Sequence, residues 1–287
     1  MIFIFLSVCC SVFVSVLLKL ARRYHIDATQ AIAWNYLSAG ALCWFFYRPQ
    51  IFNLTIADTP YSIYIVLGFL LPALFVLLAA SIRYSGIVRT DIAQRLSLFI
   101  PVLAAFLLFK EVPSVLKSFG IAVGFAAIIF SIPWQKQQNR QSSSSWFYLL
   151  CVFLGLGIID VLFKQIAQNT TLPFTSSLLI IFIIAFVISM VTLAFLLLKG
   201  KIRFQWINVI CGLILGLANF GNILFYLKAH QSLASQPSVV FSAMNIGVII
   251  GGSMVGILIF REKLSRLNYA GIALAVVSII LVVISRD

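Results

Sequence analysis

The chain has 287 residues, 62% of them hydrophobic and only 9% charged, with a mean hydropathy of +1.12. Soluble domains are about half apolar and a quarter charged, so this composition excludes a soluble enzyme or binding domain. Twenty Lys and Arg against seven Asp and Glu give a formal net charge of +13, but the bases are scattered between long apolar runs. That excludes the clustered basic face of a nucleic-acid binder.

A bilayer crossing takes about 20 mostly apolar helical residues, and only structures that satisfy their own backbone groups can face lipid. Ten runs qualify, at 2–20, 29–47, 60–82, 88–109, 115–133, 146–166, 173–198, 205–228, 237–260 and 267–285. The longest connections are 48–59 and 134–145, which leaves no soluble domain. The first run lacks the basic start and the small-residue cleavage site of a secretory signal and reads as a span. All five cysteines (Cys9, Cys10, Cys43, Cys151, Cys211) fall inside spans at no metal-binding spacing, so they read as packing residues. No metal or other cofactor is expected.

In the second span, Trp34-Asn35-Tyr36 has two readings, as a surface that stacks on substrate or as an aromatic anchor at a helix end. The fourth span places Asp91, Gln94, Arg95 and Leu98 on one stripe. Asp91 and, in the sixth span, Asp160 are the only carboxylates inside the bilayer region. Such groups face a partner or a cavity, because an ionisable side chain at mid-bilayer costs at least ~2.5 kcal/mol. Each has a cation four residues on, Arg95 and Lys164, so each acid either neutralises its helical neighbour or serves as a proton-coupling site. Arg95 is the candidate for an anionic substrate group, since its planar fork bonds a carboxylate bidentately; a salt bridge to Asp91 is the competing role.

The eighth span carries Asn219, Asn222 and Tyr226 at i, i+3 and i+7, a polar stripe for substrate or for holding helices together. The ninth span carries Asn245. His25 and His230 fall in short connections, and neither His-x-x-x-His pairs nor phosphate loops occur, so no enzyme is expected.

The chain also repeats itself. A shift of 151 residues lays Leu107–Leu116 on Leu258–Leu267 and continues through Gly120 on Gly271, matching Glu111 with Glu262 and Gln94 with Asn245. A shift of 145 lays Lys19 on Lys164. Two five-span halves follow, 1–134 and 146–287, joined by the polar linker 135–145. Five is odd, so the second half crosses the membrane in the opposite sense, as in the inverted repeats of many secondary transporters. The expected fold is an all-α integral membrane protein, ten transmembrane helices in two inverted five-helix repeats around a central cavity.

The pattern Phe109-Lys-Glu111 followed by Gly120, and Phe260-Arg-Glu262 followed by Gly271, resembles the ten-span EamA-type exporters of the drug/metabolite transporter superfamily. The second half departs from it with Gly251-Gly252 where the first has Ile100-Pro101. The resemblance implies a helical basket that exports or exchanges a small metabolite across a bacterial inner membrane. Glu111, Gly120, Glu262 and Gly271 read as structural, a turn and cap that hold a tight hairpin. Gln94, Arg95, Asn219, Asn222, Tyr226 and Asn245 are the candidate substrate residues, with protons or an exchanged solute as the driving partner. A flippase for a lipid-linked substrate and a non-transporting membrane subunit are the alternatives. Thirteen bases on one face of the spans against six on the other place both termini outside the cytoplasm, whereas the resemblance implies both inside. Among the bases, Arg95 alone is expected to lie deep.

Overall fold

The computed structural model describes residues 1–24, 26–49, 60–112, 114–131, 144–168, 173–261 and 265–285. The described residues form eleven helices: α1 (Ile2–Arg23), α2 (Ala28–Tyr47), α3 (Tyr61–Ser85), α4 (Ile87–Leu96), α5 (Phe99–Leu107), α6 (Val115–Ser131), α7 (Ser144–Gln168), α8 (Phe174–Leu198), α9 (Trp206–Ser232), α10 (Pro237–Leu258) and α11 (Arg266–Ile284). Among the described residues eight segments are long and apolar enough to cross a membrane, and α6 is a shorter apolar helix. The helix α2 stands outside those eight because Thr29, Gln30, Asn35 and Ser38 dilute its apolar content. Two of them are tied to α9: Gln30 accepts a hydrogen bond from Asn208 Nδ2 at 2.9 Å, and Ser38 donates to the Leu213 carbonyl at 3.0 Å.

The expected fourth span is two helices, α4 and α5, separated at Ser97-Leu98 within the apolar segment Arg89–Leu107. Pro101 has no N–H to return to the Ser97 carbonyl, which instead accepts from the Ile100 N–H at 3.0 Å. The Ser97 hydroxyl caps the Gln94 carbonyl at 2.6 Å, so the break leaves few unsatisfied groups where water is absent.

Between the helices of 1–134 and those of 146–287, packing partners recur reciprocally. The first helix packs on α9 and α10, while α7 packs on α3 and on α4 and α5; α2 packs on α9, while α8 packs on α3. The pairs α2–α8 and α6–α11 join the halves directly. Close approach rests on glycine where it matters most. A Cβ at Gly212 or Gly216 would lie 2.5 Å from the carbonyl oxygen of Ala31 or Asn35, so α2 and α9 touch backbone to backbone. Gly120, read as part of a turn and cap, lies inside α6, which begins at Val115; a Cβ there would meet Val282 at 2.9 Å, and its carbonyl accepts from Ser278 at 2.6 Å. Gly271 is likewise buried within α11. Gly120 therefore serves contact between α6 and α11.

Candidate functional site

The polar stripe of α4 forms as its spacing requires. Arg95 Nε donates to Asp91 Oδ2 at 2.8 Å, and the two side chains keep 25% and 33% of their surface exposed. Gln94 is half-buried, and among the described residues its side-chain amide has no hydrogen-bond partner. The pair and the free amide sit immediately before the break at Ser97-Leu98.

Asp160 does not pair with Lys164, the partner that i,i+4 spacing offers. The Tyr226 hydroxyl on α9 donates to Asp160 Oδ1 at 3.0 Å, joining α7 to α9. Lys164 turns to the end of α9, where Nζ donates to the Ala234 carbonyl at 2.9 Å and the His230 carbonyl at 3.4 Å, satisfying acceptors that a helix end leaves open. Lys164 is fully buried and Lys117 nearly so, whereas Arg95 keeps 25% of its side chain exposed. His230 also departs from expectation. With the end of α9 closed by Lys164, the helix runs on to Ser232, and His230 is fully buried against the rings of Tyr226 and Phe241, each centroid 4.7 Å away.

The other candidates divide. The Ser7 hydroxyl of α1 bonds the Asn222 carbonyl at 2.8 Å and its side-chain oxygen at 3.0 Å, so Asn222 joins α1 to α9. Asn219 is half-buried with no side-chain partner among the described residues. Asn245 donates to the Phe241 carbonyl of its own helix at 3.0 Å rather than to a group across the bundle. The fourth and ninth spans meet through α5 and α10.

Glu111 does more than turn a hairpin. It accepts from Lys117 Nζ at 2.8 Å, from the Ser238 N–H at 2.8 Å and from the Ser238 hydroxyl at 2.6 Å. A buried carboxylate of the first half thus closes the start of α10 in the second half, where open N–H groups and the helix dipole favour negative charge. Glu262 lies outside the described residues.

The matched helix ends share one geometry. Lys110 and Arg261 both have a φ of 52°. The Phe109 N–H reaches the Ala104 carbonyl and the Phe260 N–H the Val255 carbonyl, five residues back in each case. The matched lysines meet these ends crosswise, Lys19 Nζ at 3.8 Å from the centroid of the Phe260 ring and Lys164 Nζ at 5.9 Å from that of Phe109. Away from the polar groups, a surface recess of about 830 Å³ runs between α2 and α9 over Leu37, Trp44, Phe45, Ile210, Leu213 and Leu217. Its apolar lining suits lipid contact.

The membrane-length apolar helices among the described residues mark an integral, multi-pass membrane protein. The chain belongs to the EamA-like transporter family, whose model matches residues 1–133, and is thereby a membrane transporter of the drug/metabolite type. An uncharacterized protein of Haemophilus influenzae is 43% identical over 274 residues, 93% of this chain and 92% of that one. A solved structure titled only as the crystal structure of a protein shares the fold, with a TM-score of 0.70 at 11% identity over 99% of this chain and 96% of that one.

Proposed function

We propose that the protein is a secondary carrier of the bacterial inner membrane that exports or exchanges a small, amino-acid-like or anionic metabolite. It works through ten spans arranged as inverted repeats, 1–134 and 146–287, with 135–145 as the linker. The observation that carries this reading is the crosswise meeting of repeat-matched groups, Lys19 on Phe260 and Lys164 on Phe109. It is supported by the reciprocal helix partners. A bundle of two halves related in this way can open to either side by rocking one half against the other around a site between them.

Substrate lies between α4, α9 and α10. Arg95 holds an anionic group, Gln94 and Asn219 offer their free amides, and Asn222, Asn245 and Tyr226 complete the polar wall. Asp160 is the proton site in preference to Asp91. Its single side-chain partner among the described residues is a neutral hydroxyl on another helix, whereas Asp91 is neutralised by Arg95 one turn away. A carboxylate with a neutral partner can change protonation without stranding a cation.

Counterflow in proteoliposomes with pooled amino acids and other small metabolites tests the function. Accumulation of labelled solute against a preloaded pool is expected. Lipid scrambling alone would replace the carrier by a flippase, and neither activity would leave a non-transporting membrane subunit.

A further inference from the structure

Three consecutive residues of α2, Trp34, Asn35 and Tyr36, carry buried polar atoms with no hydrogen-bond partner among the described residues, and the last two are themselves fully buried. Asn35 is fully buried, and neither the nitrogen nor the oxygen of its amide has a partner among the described residues; Tyr36, 1% exposed, has an unpaired hydroxyl. Within a bilayer, water does not relieve such groups, and a buried amide left unbonded destabilises the fold. An apolar residue of the same size would pack there at no such penalty. Retention of an amide therefore calls for a ligand that completes it.

The position fits one. Helix α2 is flanked on one side by α9, whose Gly212 and Gly216 abut Ala31, Trp34, Asn35 and Ser38, and on the other by α8, whose Phe182 abuts Gly40. Helical periodicity sets Asn35 and Tyr36 on the strip between these two contacts. Asn35 lies against Gly216, ten residues or roughly 15 Å along a 27-residue α9, in the middle third of its length. Asn219, with its own free amide, is one turn further along α9. The backbone contact at Gly212 and Gly216 fixes α2 on α9, so the amide is held by a rigid pair of helices.

We propose that Asn35, assisted by the Tyr36 hydroxyl, is a specificity-determining group of the substrate site. Its amide binds the head group of an α-amino acid, Oδ1 accepting from the ammonium and Nδ2 donating to the carboxylate. The proposal rests on the carrier reading above and names its substrate class. In the conformation described the strip is closed, and the head group enters when the bundle opens in the transport cycle.

The test uses the full-length protein and two readouts. Without ligand, Asn35→Leu is expected to raise the thermal midpoint in detergent by about 4 °C or more, because unsatisfied polar groups are exchanged for apolar packing. A fall of that size would show that the amide has a structural partner and would overturn the proposal. In proteoliposomes, with an equimolar pool of the twenty labelled amino acids as the probe, Asn35→Leu is expected to reduce counterflow at least about tenfold, the loss of one well-placed hydrogen-bonded contact. Tyr36→Phe should raise KM more than it lowers kcat. Unchanged counterflow in Asn35→Leu would overturn the proposal. So would a wild-type protein that counterflows other metabolites but no amino acid, which leaves the carrier reading standing; absence of counterflow with every pool fails the carrier reading itself.

Discussion

Removal of the Glu111 carboxylate isolates one buried contact between the segment before α6 and the start of α10. Glu111 is buried and accepts three hydrogen bonds, one from the Lys117 ammonium and two from Ser238 at the start of α10. Glu111→Ala strands a buried cation, which costs about 3–5 kcal/mol, and leaves the Ser238 N–H unpaired, about 1 kcal/mol more. For a protein of this size that corresponds to a fall in thermal midpoint on the order of 10 °C, read as a difference from wild type in one detergent at one scan rate. The stranded cation is the larger part, so a second substitution that removes it should restore much of the loss. Glu111→Ala/Lys117→Met is expected to recover about 2–3 kcal/mol relative to Glu111→Ala alone, since replacing both members of a buried pair is far milder than removing one. A double variant no more stable than the single one would refute the reasoning, because it would mean that Lys117 is not held by Glu111.

Other consequences follow from the same geometry. Gly216→Ala places a Cβ 2.5 Å from the Asn35 carbonyl and should destabilise the protein by about 1–3 kcal/mol, measured as a loss of thermal midpoint and of counterflow together. Asp160→Asn keeps a partner for Tyr226 and should leave folding intact while abolishing flux driven by a pH gradient; full coupling in that variant would remove Asp160 as the proton site. Asp91→Asn breaks a partly exposed i,i+4 pair worth less than about 1 kcal/mol, so its thermal midpoint should stay within a few degrees of wild type. Lys164→Met opens the carbonyls that end α9 and should speed hydrogen exchange at residues 229–234 while sparing α3.

The proposed repeat rests on polar identities, which are rare in apolar helices, so Lys19 with Lys164 and Glu111 with Glu262 stand out from chance matches of leucine and isoleucine. The crosswise contacts of those lysines were not legible, since a repeat fixes which positions are equivalent but not which of them touch. A lysine at the end of an apolar run reads as a loop charge, yet Lys164 reaches carbonyls of another helix through its long stem. The same ambiguity hid Glu111, whose contacts at Ser238 are 127 residues away in sequence. Spacing within a helix suggested Asp160 with Lys164 and gave Asp91 with Arg95 correctly; the difference lies in whether a neighbouring helix presents a better partner, here Tyr226. Trp34-Asn35-Tyr36 could be placed near a helix end but not on a face. The polar residues Thr29, Gln30, Asn35 and Ser38 of α2 are spread around that helix, which therefore carries little information about which side is inward.

The inverted repeat is the claim on which the carrier account stands, and accessibility of the two matched helix ends tests it directly. Lys110 and Arg261 are exposed, share the same backbone conformation and occupy equivalent positions in the two halves. With the five native cysteines replaced, Lys110→Cys and Arg261→Cys are each exposed to a membrane-impermeant thiol reagent in intact cells and in inverted vesicles. The account predicts labelling of the two positions from opposite sides of the membrane. Labelling of both from the same side would contradict it.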